Sequence, residues 1–234
     1  MALVGLVEQD AAKRIHAMLD LAEAAQALDF EPVERQIGRI RSAAGPVAAI
    51  VVPGPHVRTC ADMLYRTRTL VATRLALADP DAIARSVSDG AGEIELPAPG
   101  DCDLVALTAA ALRRCVKVPC RATGDSGEDL RRFDAAGIRF AIMPDALGRL
   151  REAARSIATD NLRIGLKVTG CNSFAACQAV YDTIADTVGE AWIWPGTLRF
   201  EATEALHDDV VSRLRDGTLS RPVGCGIRLG TMPR

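Results

Sequence analysis

The sequence predicts an α/β protein with the (β/α)8 TIM-barrel fold, because strand-like and helix-like segments alternate eight times within 234 residues. Strands that alternate with helices form parallel βαβ units. Apolar runs such as Val47–Val52 are typical of strands buried on both faces of a parallel sheet. The alternative is a doubly wound open sheet, but no Gly-x-Gly-x-x-Gly motif follows a strand and no P-loop occurs. We therefore expect a single barrel domain over residues 1–234, in which residues 218–234 form a C-terminal tail without a regular element.

The strand-like segments are short, and most end at glycine or proline. One of them, Met18–Leu21, lies within an alanine-rich segment of helical tendency, Lys13–Leu28, and completes the eight when it is counted as a strand. The predicted strands are Met18–Leu21, Val47–Val52, Leu70–Thr73, Gly92–Pro97, Cys115–Cys120, Arg139–Met143, Arg163–Gly170 and Thr197–Phe200.

The helices between these strands are recognised by apolar residues that recur every three or four positions, as Val33, Ile37 and Ile40 do. Pro32 suits a first helical turn, and Gly90 suits the position just after a helix end. The predicted helices are Glu31–Ser42, Val57–Arg66, Pro80–Ser88, Asp103–Arg114, Glu128–Ala136, Leu147–Ala158, Phe174–Val188 and Leu206–Leu214.

Composition argues against several classes of function. A net charge of −2 without a basic stripe, and an aromatic content of only 4%, argue against a nucleic-acid partner. The N-terminus lacks a basic region and an apolar run long enough for a signal peptide or a membrane span, so we expect a cytoplasmic protein that does not bind membranes. Its seven cysteines form no Cys-x-x-Cys pair and are expected to be reduced. The three histidines share no ligand spacing, so we expect neither a metal nor a cofactor.

Lysine is rare in this chain and is placed unusually. Only Lys13, Lys117 and Lys167 occur among 28 basic residues, and the last two lie inside apolar strand-like runs. A lysine amine can lose its proton and attack a carbonyl group, whereas an arginine cannot. The two lysines therefore favour carbonyl chemistry, although buried ion pairs would also explain them.

Barrel enzymes carry their chemistry at the C-terminal ends of the strands. Side-chain alternation predicts that Glu95, Lys117, Arg121, Lys167 and Thr169 point inward there. In a carbonyl-handling site, Lys167 would be the amine, Glu95 would relay protons, and Lys117 would lower the pKa of its neighbour. A buried Glu–Lys–Arg network that only fills the lumen is the alternative.

The order of these motifs resembles that of the deoxyribose-phosphate aldolases over about Met18 to Leu206. Ile164-Gly-Leu-Lys-Val-Thr-Gly170 is similar to their Val-Gly-Phe-Lys-Pro-Ala-Gly, and Gly90-Ala-Gly-Glu-Ile-Glu95 is similar to Gly-Ala-Asp-Glu-Val/Ile-Asp. Ala185-Asp-Thr-Val-Gly-Glu-Ala-Trp192 resembles Ala-Asp-Glu-Leu-Phe-Gly-Ala-Asp-Trp of the longer bacterial form. The resemblance implies a (β/α)8 barrel and a class I aldolase mechanism, in which a lysine forms a Schiff base.

The resemblance also assigns roles to individual positions. The Schiff-base lysine of strand six is replaced by Ile142, so the chain is expected to be a divergent member that lacks this nucleophile. Lys167 matches the family's second lysine and Glu95 its catalytic aspartate, while Asp20 matches an aspartate near the substrate.

The phosphate-binding motifs of the family are altered. Gly170 is kept, but Cys171 stands where the family has a second glycine. The motif after strand eight reads Glu201-Ala-Thr-Glu204, and its carboxylates would repel a phosphate dianion. They also suit the start of a helix, which is the structural interpretation. Cys171 is either an active-site thiol or, as we favour, a small core residue.

We therefore expect a lyase for a small, unphosphorylated carbonyl compound, with Lys167, Glu95 and Lys117 as catalytic residues. The residues expected to bind substrate are Asp20, Arg121, Thr169, Gly170 and Cys171. The alternatives are a silent barrel that acts as a binding or regulatory protein, and an isomerase that uses the same residues. Barrels of this kind often pair, so a homodimer is expected.

Overall fold

The computed structural model describes residues 2–22, 24–42, 44–98, 103–121 and 125–219. Eight parallel strands close into a barrel in the order in which they occur along the chain, which confirms the predicted (β/α)8 fold. The strands are β1 (Leu19–Leu21), β2 (Ala49–Val52), β3 (Leu70–Arg74), β4 (Glu93–Glu95), β5 (Cys115–Pro119), β6 (Phe140–Pro144), β7 (Gly165–Thr169) and β8 (Leu198–Ala202).

Helices follow the strands and cover the outside of the barrel. They are α1 (Ala2–Ala17), α2 (Glu31–Ile40), α3 (Val57–Leu64), α4 (Pro80–Ser88), α5 (Leu104–Ala110), α6 (Ser126–Ala135), α7 (Leu147–Asp160), α8 (Phe174–Val188) and α9 (Glu204–Leu219). Short 3-10 turns occur at Gly54–His56 and Glu190–Trp192. None of the helices described is long and apolar enough to cross a membrane.

The two ends of the chain differ from the prediction. The helical tendency of Lys13–Leu28 holds only as far as Ala17, where α1 ends, and the strand predicted at Met18–Leu21 is confirmed by β1. At the other end, α9 continues to Leu219, two residues into the predicted tail. Residues 220–234, the rest of that tail, lie outside the described residues.

Alternation along the strands separates the interior into two layers. In β1, Leu19 and Leu21 pack into the large apolar core between strands and helices, whereas Asp20 between them points into the lumen. A small separate cluster of Ala25, Ala49, Val51 and Ala72 lines the β1–β3 side of the lumen. The other side of the lumen is charged.

Candidate active site

Six charged side chains meet inside the barrel, and each residue has no more than 5% of its surface exposed. They are Asp20, Glu93, Glu95, Lys117, Lys167 and Arg199, from β1, β4, β5, β7 and β8. Residues between them, such as Ile94 and Val168, pack against the helices, so alternation turns the charged ones inward. Three carboxylates face three cations, and this balance makes their burial tolerable.

Lys117 lies at the centre of this network. Its Nζ is 2.5 Å from Asp20 Oδ2, 2.7 Å from Glu93 Oε2 and 3.9 Å from Glu95 Oε1. Burial by itself would lower the pKa of Lys117, but the three carboxylates outweigh burial and raise the pKa above its usual value. Lys117 is therefore held as a cation.

Lys167 lies closer to the open end of the barrel. Its Nζ donates a short hydrogen bond to Glu95 Oε1. It also lies 3.4 Å from Asp20 Oδ2 and 3.3 Å from Glu201 Oε2. Both lysines thus approach the same oxygen of Asp20 and the same oxygen of Glu95.

The floor of the network is formed by Arg199 and Phe140. Arg199 donates hydrogen bonds to Asp20 Oδ1 at 2.8 Å and to Glu93 Oε1 at 3.0 Å. The Phe140 ring lies 5.5 Å from the Lys117 amine and 5.6 Å from the Arg199 guanidinium, within range of cation–π attraction. Gly165 leaves room for this ring, since a Cβ there would lie 2.7 Å from Phe140 Cε1.

The surroundings of Asp20 and Glu95 favour the ionised carboxylate. Burial would raise the pKa of Asp20, but Lys117, Lys167 and Arg199 lower the pKa below its usual value. Burial would also raise the pKa of Glu95, but the neighbouring cations, Lys167 first, lower this pKa below its usual value. An anionic Glu95 beside Lys167 can accept a proton from the amine.

Two further charges close the network toward the C-terminal mouth of the barrel. Arg74, at the end of β3, contacts Glu95 Oε2 at 2.8 Å and Glu201 Oε2 at 2.5 Å. Their side chains are 33% and 25% exposed, whereas the Glu95 side chain beneath is 1% exposed. A cavity of about 250 Å³ opens here, lined by Ala22, Ala25, Gln26, Arg74, Glu201, Ala202 and Thr203.

The structure brings together four of the predicted site residues, Asp20, Glu95, Lys117 and Lys167. It places Arg121 elsewhere, so the expected inward orientation of that side chain is wrong. Arg121 follows the end of β5, where alternation no longer applies, and its exposed guanidinium pairs with Glu128 and Asp129.

The remaining predicted residues lie where β7 joins α8. Thr169 is half-buried, and its hydroxyl donates to the Met143 carbonyl at 3.3 Å. Gly170 has a φ of +93°, a conformation that favours glycine. Cys171 is buried, as favoured, and a hydrogen bond with Cys177 lowers the pKa of its thiol.

Three charged residues of the network, Arg74, Glu93 and Arg199, have no role in the prediction, and Glu201 is predicted only as a charge that repels phosphate or begins a helix. Glu93 shares the inward face of β4 with Glu95, and Arg199 with Glu201 on β8, so alternation would have identified both pairs. Arg74 and Glu201 lie beyond the predicted third and eighth strands, which stop one and two residues before the ends of β3 and β8.

Ile142, the residue that the sequence resemblance aligns with a Schiff-base lysine, pairs in register with Lys167. It is half-buried and shares a face of β6 with Phe140. Met143, the residue between β6 positions Ile142 and Pro144, packs into the outer core and does not fill the lumen.

No protein-family model matches the chain. No curated protein matches it in sequence either. Solved structures do resemble it. A protein assigned as a deoxyribose-phosphate aldolase from Toxoplasma gondii ME49 superposes with a TM-score of 0.72 and 13% identity, over 91% of this chain and 97% of that one.

Two further structures agree with this likeness. A protein likewise assigned from Coccidioides immitis gives a TM-score of 0.71 at 14% identity, over 87% of both chains. The tetrameric deoxyribose phosphate aldolase of Aeropyrum pernix gives 0.65 at 14% identity, over 92% of this chain and 96% of that one. At such identities the likeness establishes an aldolase-like barrel fold, whereas activity has to be argued from the residues of the site.

Proposed function

We propose that this protein is an aldolase-like lyase that makes or breaks a carbon–carbon bond in a small, unphosphorylated carbonyl compound. The amine of Lys167 is the nucleophile. The observation that carries this proposal is the hydrogen bond between Lys167 and Glu95, which lies directly beneath the Arg74–Glu201 pair that lines the mouth cavity. An amine, a proton acceptor and space for a small molecule thus occur together.

Lys117 is the less suitable nucleophile of the two lysines. An amine attacks only in its neutral form, and the raised pKa of Lys117 keeps it protonated. In the proposed mechanism Lys117 supplies a fixed positive charge 3.9 Å from the Glu95 carboxylate, while Glu95 accepts and returns the protons of Lys167. Glu201 at the mouth disfavours a phosphorylated substrate through repulsion.

Borohydride trapping with a panel of small aldehydes and ketones tests the proposal. Reduction fixes an imine as a stable adduct, and peptide mass spectrometry assigns it readily because the chain has only three lysines. We expect the adduct on Lys167 and its loss in Lys167→Arg, which keeps the charge but removes the nucleophile. Lys13→Arg, on the exposed part of α1, is the matched control and should keep the adduct. A panel without any adduct on Lys167 would contradict the mechanism.

A silent barrel is the second candidate, and one observation favours it. Every lumen charge among the described residues is paired, and Lys167 itself is fully buried. If the network only fills the barrel, none of the small carbonyl compounds will bind, and titration followed by NMR will leave the signals of the mouth residues unmoved.

A further inference from the structure

The carboxylate of Glu201 occupies a distinctive position in the mouth of the barrel. A single oxygen, Oε2, lies 2.5 Å from Arg74 Nη2 and 3.3 Å from Lys167 Nζ. Glu201 therefore bridges a guanidinium and the proposed nucleophile with one carboxylate oxygen. The Glu201 side chain is 25% exposed at the cavity, whereas the carboxylates of Asp20, Glu93 and Glu95 are fully buried.

Charge balance limits what can replace Glu201. The six inner charges balance one another, and Arg74 is balanced by Glu201 in the described part of the site. If Glu201 swings into solvent to uncover Lys167, Arg74 keeps its contact with Glu95, and the site carries one uncompensated positive charge. A neutral aldehyde cannot compensate for that charge, but a ligand with one carboxylate can.

The rest of the cavity fits a small ligand of this kind. Its volume of about 250 Å³ is below that of pockets for drug-sized molecules. Ala22, Ala25 and Ala202 supply a small apolar wall, and Gln26 and Thr203 supply neutral polar groups. Arg74 is the cation among the described lining residues, so it is the natural partner of a ligand carboxylate.

We propose that the substrate is a short 2-oxo acid, whose carboxylate displaces Glu201 from Arg74 and thereby brings its oxo carbon to Lys167. This inference rests on the proposed lyase function and names its substrate class. In a 2-oxo acid the carboxylate and the oxo carbon are directly bonded, which matches two cations that share one carboxylate oxygen.

The covalent step is balanced within the site. The Lys167 ammonium and the oxo group give a protonated imine and one water molecule. The carbon–oxygen double bond is replaced by a carbon–nitrogen double bond, and two hydrogens of the ammonium leave in the water. Charge is conserved and nothing is oxidised or reduced. Glu95 carries the proton between the nitrogen and the departing oxygen.

Pyruvate and pyruvamide provide the test, because they differ chiefly in charge. With borohydride, we expect pyruvate to be trapped on Lys167 about ten to a hundred times faster than pyruvamide, the range of a charge-assisted contact. In Arg74→Gln this preference should fall to near one. In Glu201→Gln, which keeps Arg74 but removes the competing carboxylate, half-saturation by pyruvate should occur at a lower concentration. Circular dichroism will verify that both variants are folded.

The outcomes separate this inference from the proposed function. Equal trapping of pyruvate and pyruvamide on Lys167, or an unchanged preference in Arg74→Gln, would overturn the 2-oxo acid while leaving the lyase mechanism in place. If neither compound is trapped, the proposed mechanism fails. Calorimetry with propanoate and propanamide then tests separately whether Arg74 binds a ligand carboxylate. Propanoate binding that is lost in Arg74→Gln supports it, and absence of propanoate binding overturns it.

Discussion

Replacement of Lys117 by methionine removes one charge from the buried network while nearly preserving the shape of the side chain. Three carboxylates, Asp20, Glu93 and Glu95, lie within 3.9 Å of the Lys117 amine. The buried part of the lumen would then hold these three carboxylates and two cations, Lys167 and Arg199, and would carry one uncompensated negative charge.

The expected cost follows from this imbalance. Loss of one partner from a buried ion pair costs about 3–5 kcal/mol, since the remaining charge is desolvated without compensation. In Lys117→Met with Glu93→Gln the charges balance again, so the double variant should recover at least about 1 kcal/mol of the loss. Lys13→Met is the control. Its pair with Asp10 is mostly exposed, and its loss should cost well under about 1 kcal/mol.

Urea unfolding followed by circular dichroism and tryptophan fluorescence measures these differences. With a slope of about 2 kcal/mol per molar urea, a loss of 4 kcal/mol lowers the midpoint by about 2 M. The wild type should also lose stability above about pH 10.5, where unfolded lysine releases its proton and the raised pKa of Lys117 no longer favours the folded state. A midpoint for Lys117→Met within about 0.5 M of the wild type at pH 7 would refute this reasoning.

Two further predictions concern other buried contacts. Burial and the neighbouring His207 lower the pKa of His16 to about 4 from its usual 6.5. The folded state then resists protonation, so stability present above pH 6.5 should fall by up to about 3 kcal/mol as the pH drops to 4. In thermal unfolding, His16→Leu should therefore lose less stability between pH 6.5 and 4 than the control His56→Leu. An equal loss in both variants would contradict the role of His16. Gly165→Ala should cost about 1–3 kcal/mol in urea, because its Cβ would meet Phe140 and the Thr197 carbonyl at 2.7 Å. A neutral result would mean that Phe140 can move aside.

The fold follows from local patterns that the chain carries repeatedly. Valine-rich runs such as Val47–Val52 favour buried parallel strands, and glycines such as Gly90 end helices. The strand predicted at Met18–Leu21 is confirmed although the alanine-rich segment around it favours a helix, because β1 is held by pairing with β2 and β8.

The candidate site was predictable only where a side chain interrupts an apolar strand. Lys117 and Lys167 are conspicuous for that reason. Arg74 and Glu201 are not, since a charged residue at a strand end is ordinary in a sequence. That the two meet over Glu95 depends on closure of the barrel, which brings β3 and β8 to one mouth across β1 and β2.

The small side chains on one side of the lumen support the proposed ligand over a purely structural charge network. Apolar residues of similar volume would stabilise a barrel as well as buried ion pairs do, or better. Barrel interiors are usually filled with bulky branched residues, but the β1–β3 side of this lumen carries Ala49 and Ala72. Ala25 belongs to the same cluster and lines the mouth cavity. The space beside the paired charges is the mouth cavity, where the small side chains of Ala22, Ala25 and Ala202 line the same opening as Arg74 and Glu201, and a substrate would need space there.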